Sequence, residues 1–138
     1  MQITINQKYP TLNEYIKVER SNMYGASAMK KQFTNISRTY AEVSKIKIDK
    51  KVDIEFVWGI TNKKSDPDNI AFGKKFILDG FVEAGLMEND GHKQINSLKD
   101  TFVITPTNTV TVKFKEVTLW NKSQDYQHHI KDSKMNFM

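Results

Sequence analysis

Apolar and polar residues alternate with period two in several short stretches of this chain, which predicts strands with one buried face. Residues 2–6, QITIN, put Ile3 and Ile5 on one side. Further on, Val52, Ile54, Phe56 and Trp58 alternate with Asp53, Glu55, Val57 and Gly59. Val110, Val112 and Phe114 alternate with Thr111, Lys113 and Lys115. Residues 94–105 predict another strand, with Phe102 and Ile104 inward. The turn-like segment 106–108 would join it to the last strand as a hairpin.

A period near 3.6 marks the helices. Ala26, Met29, Phe33, Ile36, Tyr40 and Val43 recur at spacings of three and four, so 23–43 reads as a long helix with a core-facing stripe. Lys30, Lys31 and Arg38 lie off that stripe. Pro10 stops the first strand, and Thr11 to Glu14 has capping-box spacing, so a short helix or ordered loop is expected over 11–19. Ile70, Ile77, Phe81 and Ala84 share the buried face of a third helix, and Gly85 suits its C-terminus. The predicted order is strand, helices, strand, helix, strand, strand. That is an α/β two-layer sandwich, a small mixed sheet with helices packed on it. Residues 1–120 read as one domain, and 121–138 as a polar tail without a period. Adjacent His128 and His129 in that tail lack a third ligand at helical spacing, so no metal role is expected there.

The third helix carries an unusual density of charge. The stretch 62–95 holds Asp66, Asp68, Asn69, Lys74, Lys75, Asp79, Glu88 and Asp90. Pro67 pushes Asp66 toward extended backbone, where residues two apart point to the same side, so Asp66 and Asp68 can converge. Asp68 or Asn69 would cap the helix. On one continuous helix Asp68, Phe72, Lys75 and Asp79 share a face, with Asp79 either pairing with Lys75 or orienting the site from behind. Asp90 joins the other two only if its turn folds back. Converging carboxylates suit a hard divalent cation such as Mg²⁺. An EF-hand is excluded, because counting from Asp66 the sixth position is Ala71 and the twelfth is Ile77. The bland alternative is a turn followed by a helix cap.

Charge then narrows the partner. The chain has 138 residues, 21 Lys+Arg against 16 Asp+Glu and a net charge of +5. Its only arginines are Arg20 and Arg38. Lysine contacts phosphate as a point charge, so the balance favours backbone binding over base reading. Asn13, Tyr15, Lys17, Arg20, Lys63, Lys64, Asn69 and Lys74 are candidate DNA contacts. His92 is a surface residue or a DNA contact. There is no cysteine, so disulfides and thiolate metal sites are excluded. No run is long and apolar enough to span a membrane, no secretory signal is seen, and no Walker or dinucleotide motif calls for a nucleotide cofactor.

The string DPDN, a lysine four before an aspartate (Lys75 and Asp79), and AGLMEND ending in Asp90 resemble the RusA family of Holliday-junction resolvases. The similarity reaches PTLNEYI near the start and the closing strand. Several things follow from this resemblance. It implies a RusA-like fold and a crossover junction endodeoxyribonuclease that hydrolyses four-way DNA with Mg²⁺, or Mn²⁺ in its place. It implies catalytic and metal-holding Asp66, Asp68 and Asp90, with Lys75 as the catalytic lysine. It implies a homodimer making paired cuts, in the cytoplasm of a bacterial host. Phe72, Phe76 and Phe81 are candidates for an exposed dimer face. The lysine lies about one helical turn further from the Asp-Asn pair than in the founding member. Lys74 is therefore a competitor for its role. The alternative to the enzyme is a non-catalytic DNA-binding module with an acidic helix cap.

Overall fold

A computed structural model of the chain describes residues 1–117. The alternating stretches become four strands of one sheet: β1 (Gln2–Ile5), β2 (Val52–Ile60), β3 (Ile95–Ile104) and β4 (Thr109–Glu116). The helical stretches become α1 (Leu12–Ser21), α2 (Met23–Ser44), α3 (Pro67–Ala71) and α4 (Lys74–Glu83). The sheet order is β1-β4-β2-β3, with β2 and β3 parallel and the other neighbours antiparallel. This is the mixed α/β sandwich that the pattern predicts. The predicted tail, 121–138, lies outside the described residues.

The hairpin expectation is corrected. β3 and β4 flank β2 on opposite sides, so the link 105–108 steps across the end of β2. There the Thr105 N–H donates to the Ile60 carbonyl at 2.9 Å. Val52, Ile54, Phe56 and Trp58 are all buried, and a strand buried this fully sits in the middle of a sheet. A parallel β2–β3 pair needs a crossover, which α3 and α4 supply. β3 is left as the edge. Phe102 is half-buried as expected, but Ile104 is 55% exposed rather than inward.

Helices α2 and α4 cross closely enough to fix their residue types. A Cβ at Gly80 would lie 2.5 Å from the Ser37 Cβ and 2.5 Å from the Thr34 carbonyl. The deep positions of α2 are therefore the small Ala26, Thr34, Ser37 and Ala41, not the whole apolar stripe. Phe33, Ile36 and Tyr40 pack at its margin, while Val43 is 75% exposed. Phe76 and Phe81 are fully buried and Phe72 is half-buried, so these rings are core and not an open dimer face. Phe76 meets Phe33 at 6.0 Å and Phe72 at 5.6 Å between ring centroids. Among the described residues, no helix is long and apolar enough to cross a membrane.

Candidate active site

The chain leaves β2 at Ile60 and reaches Asp66 through an exposed segment carrying Lys63 and Lys64. Asp66 has extended backbone (φ −70°, ψ 153°) and is the N-cap of α3, with Pro67 opening the helix. Pro suits a first helical position because its missing N–H has no partner there anyway. The cap is thus Asp66, not Asp68 or Asn69. Asp68 lies inside the first turn, so it does not share a side with Asp66 in the way extended backbone would dictate.

The Asp66 carboxylate makes no cap hydrogen bond. Asp68 Oδ1 accepts from the Asn69 N–H at 2.9 Å. Asn69 Oδ1 accepts from the Asn13 N–H at 2.8 Å, which ties α3 to the first turn of α1. Both carboxylates are exposed, and neither they nor Lys63 and Lys64 form an ion pair among the described residues. Tyr15 is turned inward, its ring 5.3 Å from Phe72, so it packs rather than projects. Asn13, Lys17 and Arg20 are exposed on α1.

The single predicted helix is two helices. Gly73, Lys75 and Phe76 bond to carbonyls three residues back (Gly73 N to Ile70 O, 3.2 Å; Lys75 N to Phe72 O, 3.1 Å; Phe76 N to Gly73 O, 3.2 Å). This tighter winding turns the chain about 120° per residue rather than about 100°. Asp68, Phe72, Lys75 and Asp79 therefore do not form one continuous stripe. Glycine is required at the joint, since a Cβ on Gly73 would sit 2.8 Å from the Tyr9 Cβ and 3.2 Å from the Trp58 ring.

The joint decides where the two lysines go. Lys74 points over the sheet: its Nζ lies 2.5 Å from Asp100 Oδ2 and 5.7 Å from the Phe56 ring centroid. Trp58 Nε1 donates to Asp100 Oδ1 at 2.9 Å. The pair is mostly enclosed, with Lys74 24% and Asp100 22% exposed. Lys75 is exposed and has no ion pair, with Asp79 or with any other described residue. Asp100 carries no sequence signal, because it interrupts a strand pattern only once. Register places it beside Phe56 and within reach of Trp58.

Asp90 lies elsewhere. α4 ends in a left-handed Gly85 (φ +76°), with Gly85 N bonded to Val82 O at 3.0 Å and Leu86 N to Phe81 O at 3.0 Å. These two bonds satisfy the last carbonyls of the helix. The following turn is held by the buried Gln94, which accepts from Glu88 N at 3.1 Å and donates to the Ile48 and Lys50 carbonyls. Asp90 is exposed on this turn and lines a groove between α2 and α4 with Lys30, Lys31, Asp79 and Glu83. The Thr34 hydroxyl, buried in that groove, has no hydrogen-bond partner among the described residues. Ile95 pairs with Val52 at the start of β2, whereas Asp66 follows Ile60 at its end. Eight strand residues, about 26 Å, separate those two levels. The groove that Asp90 lines includes neither Asp66 nor Asp68. Among the described residues, no three acidic or histidine side chains are grouped to hold a metal ion.

A small cavity opens beside the Asp66 turn, at the carboxyl end of β2, the usual position for ligand sites in open α/β sheets. Its floor includes Tyr9, whose hydroxyl lies 2.7 Å from Ser37 Oγ. Burial pushes the Tyr9 hydroxyl up to about 12, against the lowering effect of that hydrogen bond. No protein-family model matches the chain, and no curated protein matches it.

Proposed function

We propose that this chain is a metal-dependent endonuclease of the RusA type that cuts four-way DNA junctions. One observation carries the choice over a non-catalytic module with an acidic cap: Asp66 occupies the N-cap position and does not cap. A capping aspartate closes onto the backbone of the first turn. Here the carboxylate stays open to solvent, next to Asp68 and flanked by unpaired Lys63 and Lys64.

The donor chemistry fits Mg²⁺, which takes one or two protein carboxylates and completes its shell with water and substrate phosphate. Asp66 and Asp68 would hold the ion. When bound, it supplies acidification of a water and neutralisation of charge growing on the phosphate. The chain's own groups do the rest. Lys63 and Lys64 draw in the DNA backbone by charge, and the exposed α1 residues Asn13, Lys17 and Arg20 extend that track. Lys75, which forms no ion pair among the described residues, is the amine available to a phosphate oxygen. Asp90 lines the α2–α4 groove without Asp66 or Asp68 beside it, so the proposed site draws its Asp90 from a second copy. That requirement supports a homodimer, as do paired cuts on a symmetric substrate.

The test is cleavage of a synthetic four-way junction in Mg²⁺. The parent should cut it. Asp68→Asn keeps shape but removes one charge, so cutting should fall by about two orders of magnitude or more while junction binding persists. A parent that binds junctions and never cuts them, or an Asp68→Asn variant that cuts at the parental rate, would overturn the proposal.

A further inference from the structure

We propose that the cavity at the carboxyl end of β2 receives a single unpaired nucleobase from the strand being cut; the choice of DNA as ligand rests on the nuclease reading above. Trp58 and Ile70 supply apolar wall. Asn62, from the segment after β2, and Asn108, from the β3–β4 link, supply amides at the rim. Among the described residues, Lys8 is the only charged one lining the cavity, and no carboxylate does. Such a lining suits a flat, uncharged ring with donors and acceptors on its edge. Asn and Gln amides meet bases in that way, and aromatic or apolar walls hold an extruded base.

Three further observations point the same way. Asn108 is half-buried and bonds to nothing within the described chain, so its donor and acceptor are both free. Ser65 lines the cavity and is the residue before Asp66, so the cavity adjoins the Asp66 turn. The cavity holds about 80 Å³. On that scale one water needs about 10–15 Å³, which leaves room for a single base and not for a base pair.

A base can enter only after leaving its stack. That costs a few kcal/mol in duplex DNA and least where pairing is already interrupted. The crossover of a four-way junction keeps its pairs but interrupts the stacking between arms, so extrusion costs less there than within a duplex. The cavity would thus favour branched over duplex DNA without reading much sequence.

The experiment places 2-aminopurine at the crossover of a four-way junction and follows its emission on adding protein without divalent metal. Emission should rise as the base leaves the stack. Asn108→Leu keeps the size and removes the hydrogen bonds, and Ile70→Trp fills the cavity. Each should suppress the rise and cut the preference for junction over duplex by about tenfold or more. Melting temperatures identify a variant that fails to fold, and if Ile70→Trp does, Asn108→Leu alone decides. Unchanged emission with the parent, or undiminished selectivity in folded Asn108→Leu, would overturn the cavity proposal even if the protein cuts junctions. A rise in emission with no cutting in Mg²⁺ would instead leave the cavity standing and remove the nuclease.

Discussion

Two helices start within contact of each other, and their first residues are used in opposite ways. At α1, Thr11 is buried and closed: its Oγ1 accepts from the Glu14 N–H at 3.2 Å and also donates to Glu14 Oε1 at 3.2 Å. At α3, Asp66 stands in the same position and its side chain makes no cap hydrogen bond. The Asn69–Asn13 hydrogen bond links the two starts, so they belong to one local frame. The same division recurs one turn later, where Lys74 is bound to Asp100 and Lys75 is open. Side chains spent on holding the fold and side chains left for a ligand are neighbours here, and their hydrogen bonds tell them apart.

The sharpest way to break that contrast is to truncate both caps. Asp66→Ala should lower junction cleavage by about two orders of magnitude or more through loss of a metal carboxylate. Its melting temperature should stay close to the parent's, since no cap bond is removed. Thr11→Ala should do the reverse, losing about 1 kcal/mol of stability and keeping its cleavage at low temperature. Equal destabilisation by both, seen in denaturant unfolding, would mean that Asp66 caps its helix in solution.

The lysine pair gives the next effect in size. Lys75→Ala should slow cleavage by about tenfold or more at unchanged stability. Lys74→Ala should mainly destabilise, by about 1–2 kcal/mol, because it strands the mostly enclosed Asp100. A larger rate loss in Lys74→Ala at a temperature where both variants are folded would show that the Lys74 ammonium leaves Asp100 when DNA binds.

Mixing inactive variants gives the smallest signal and probes the distance between Asp68 and Asp90. Asp68→Asn and Asp90→Asn should each be inactive alone. If a site is built from both copies, random mixing leaves half of the dimers with one intact site out of two, so nicking should return to about a quarter of the parental rate. No recovery after subunit exchange, with both variants inactive alone, would place Asp68 and Asp90 of one chain in one site and overturn the shared site.

Local patterns in this sequence reach as far as local physics does. The period-two runs specify the strand faces at Ile3, Ile5 and Val52 to Trp58, because alternation is a property of each strand alone. The long helix, the Thr11 cap and the Gly85 terminator are equally local. So is the neighbourhood of Asp66 and Asp68, which are two residues apart in any fold. The partners of β2 depend on packing across the whole chain, so a short turn between β3 and β4 suggested a hairpin where the sheet needed a central strand. Phe72 and Gly73 carry no strong break signal. The steric demand of Tyr9 and Trp58 on Gly73, distant in sequence, accompanies the tightened joint that shifts the helix phase and sends Lys74 to Asp100. Asp90 joins the carboxylate group through the resemblance that AGLMEND carries. Tertiary structure alone puts it in the groove between α2 and α4, whose lining includes neither Asp66 nor Asp68.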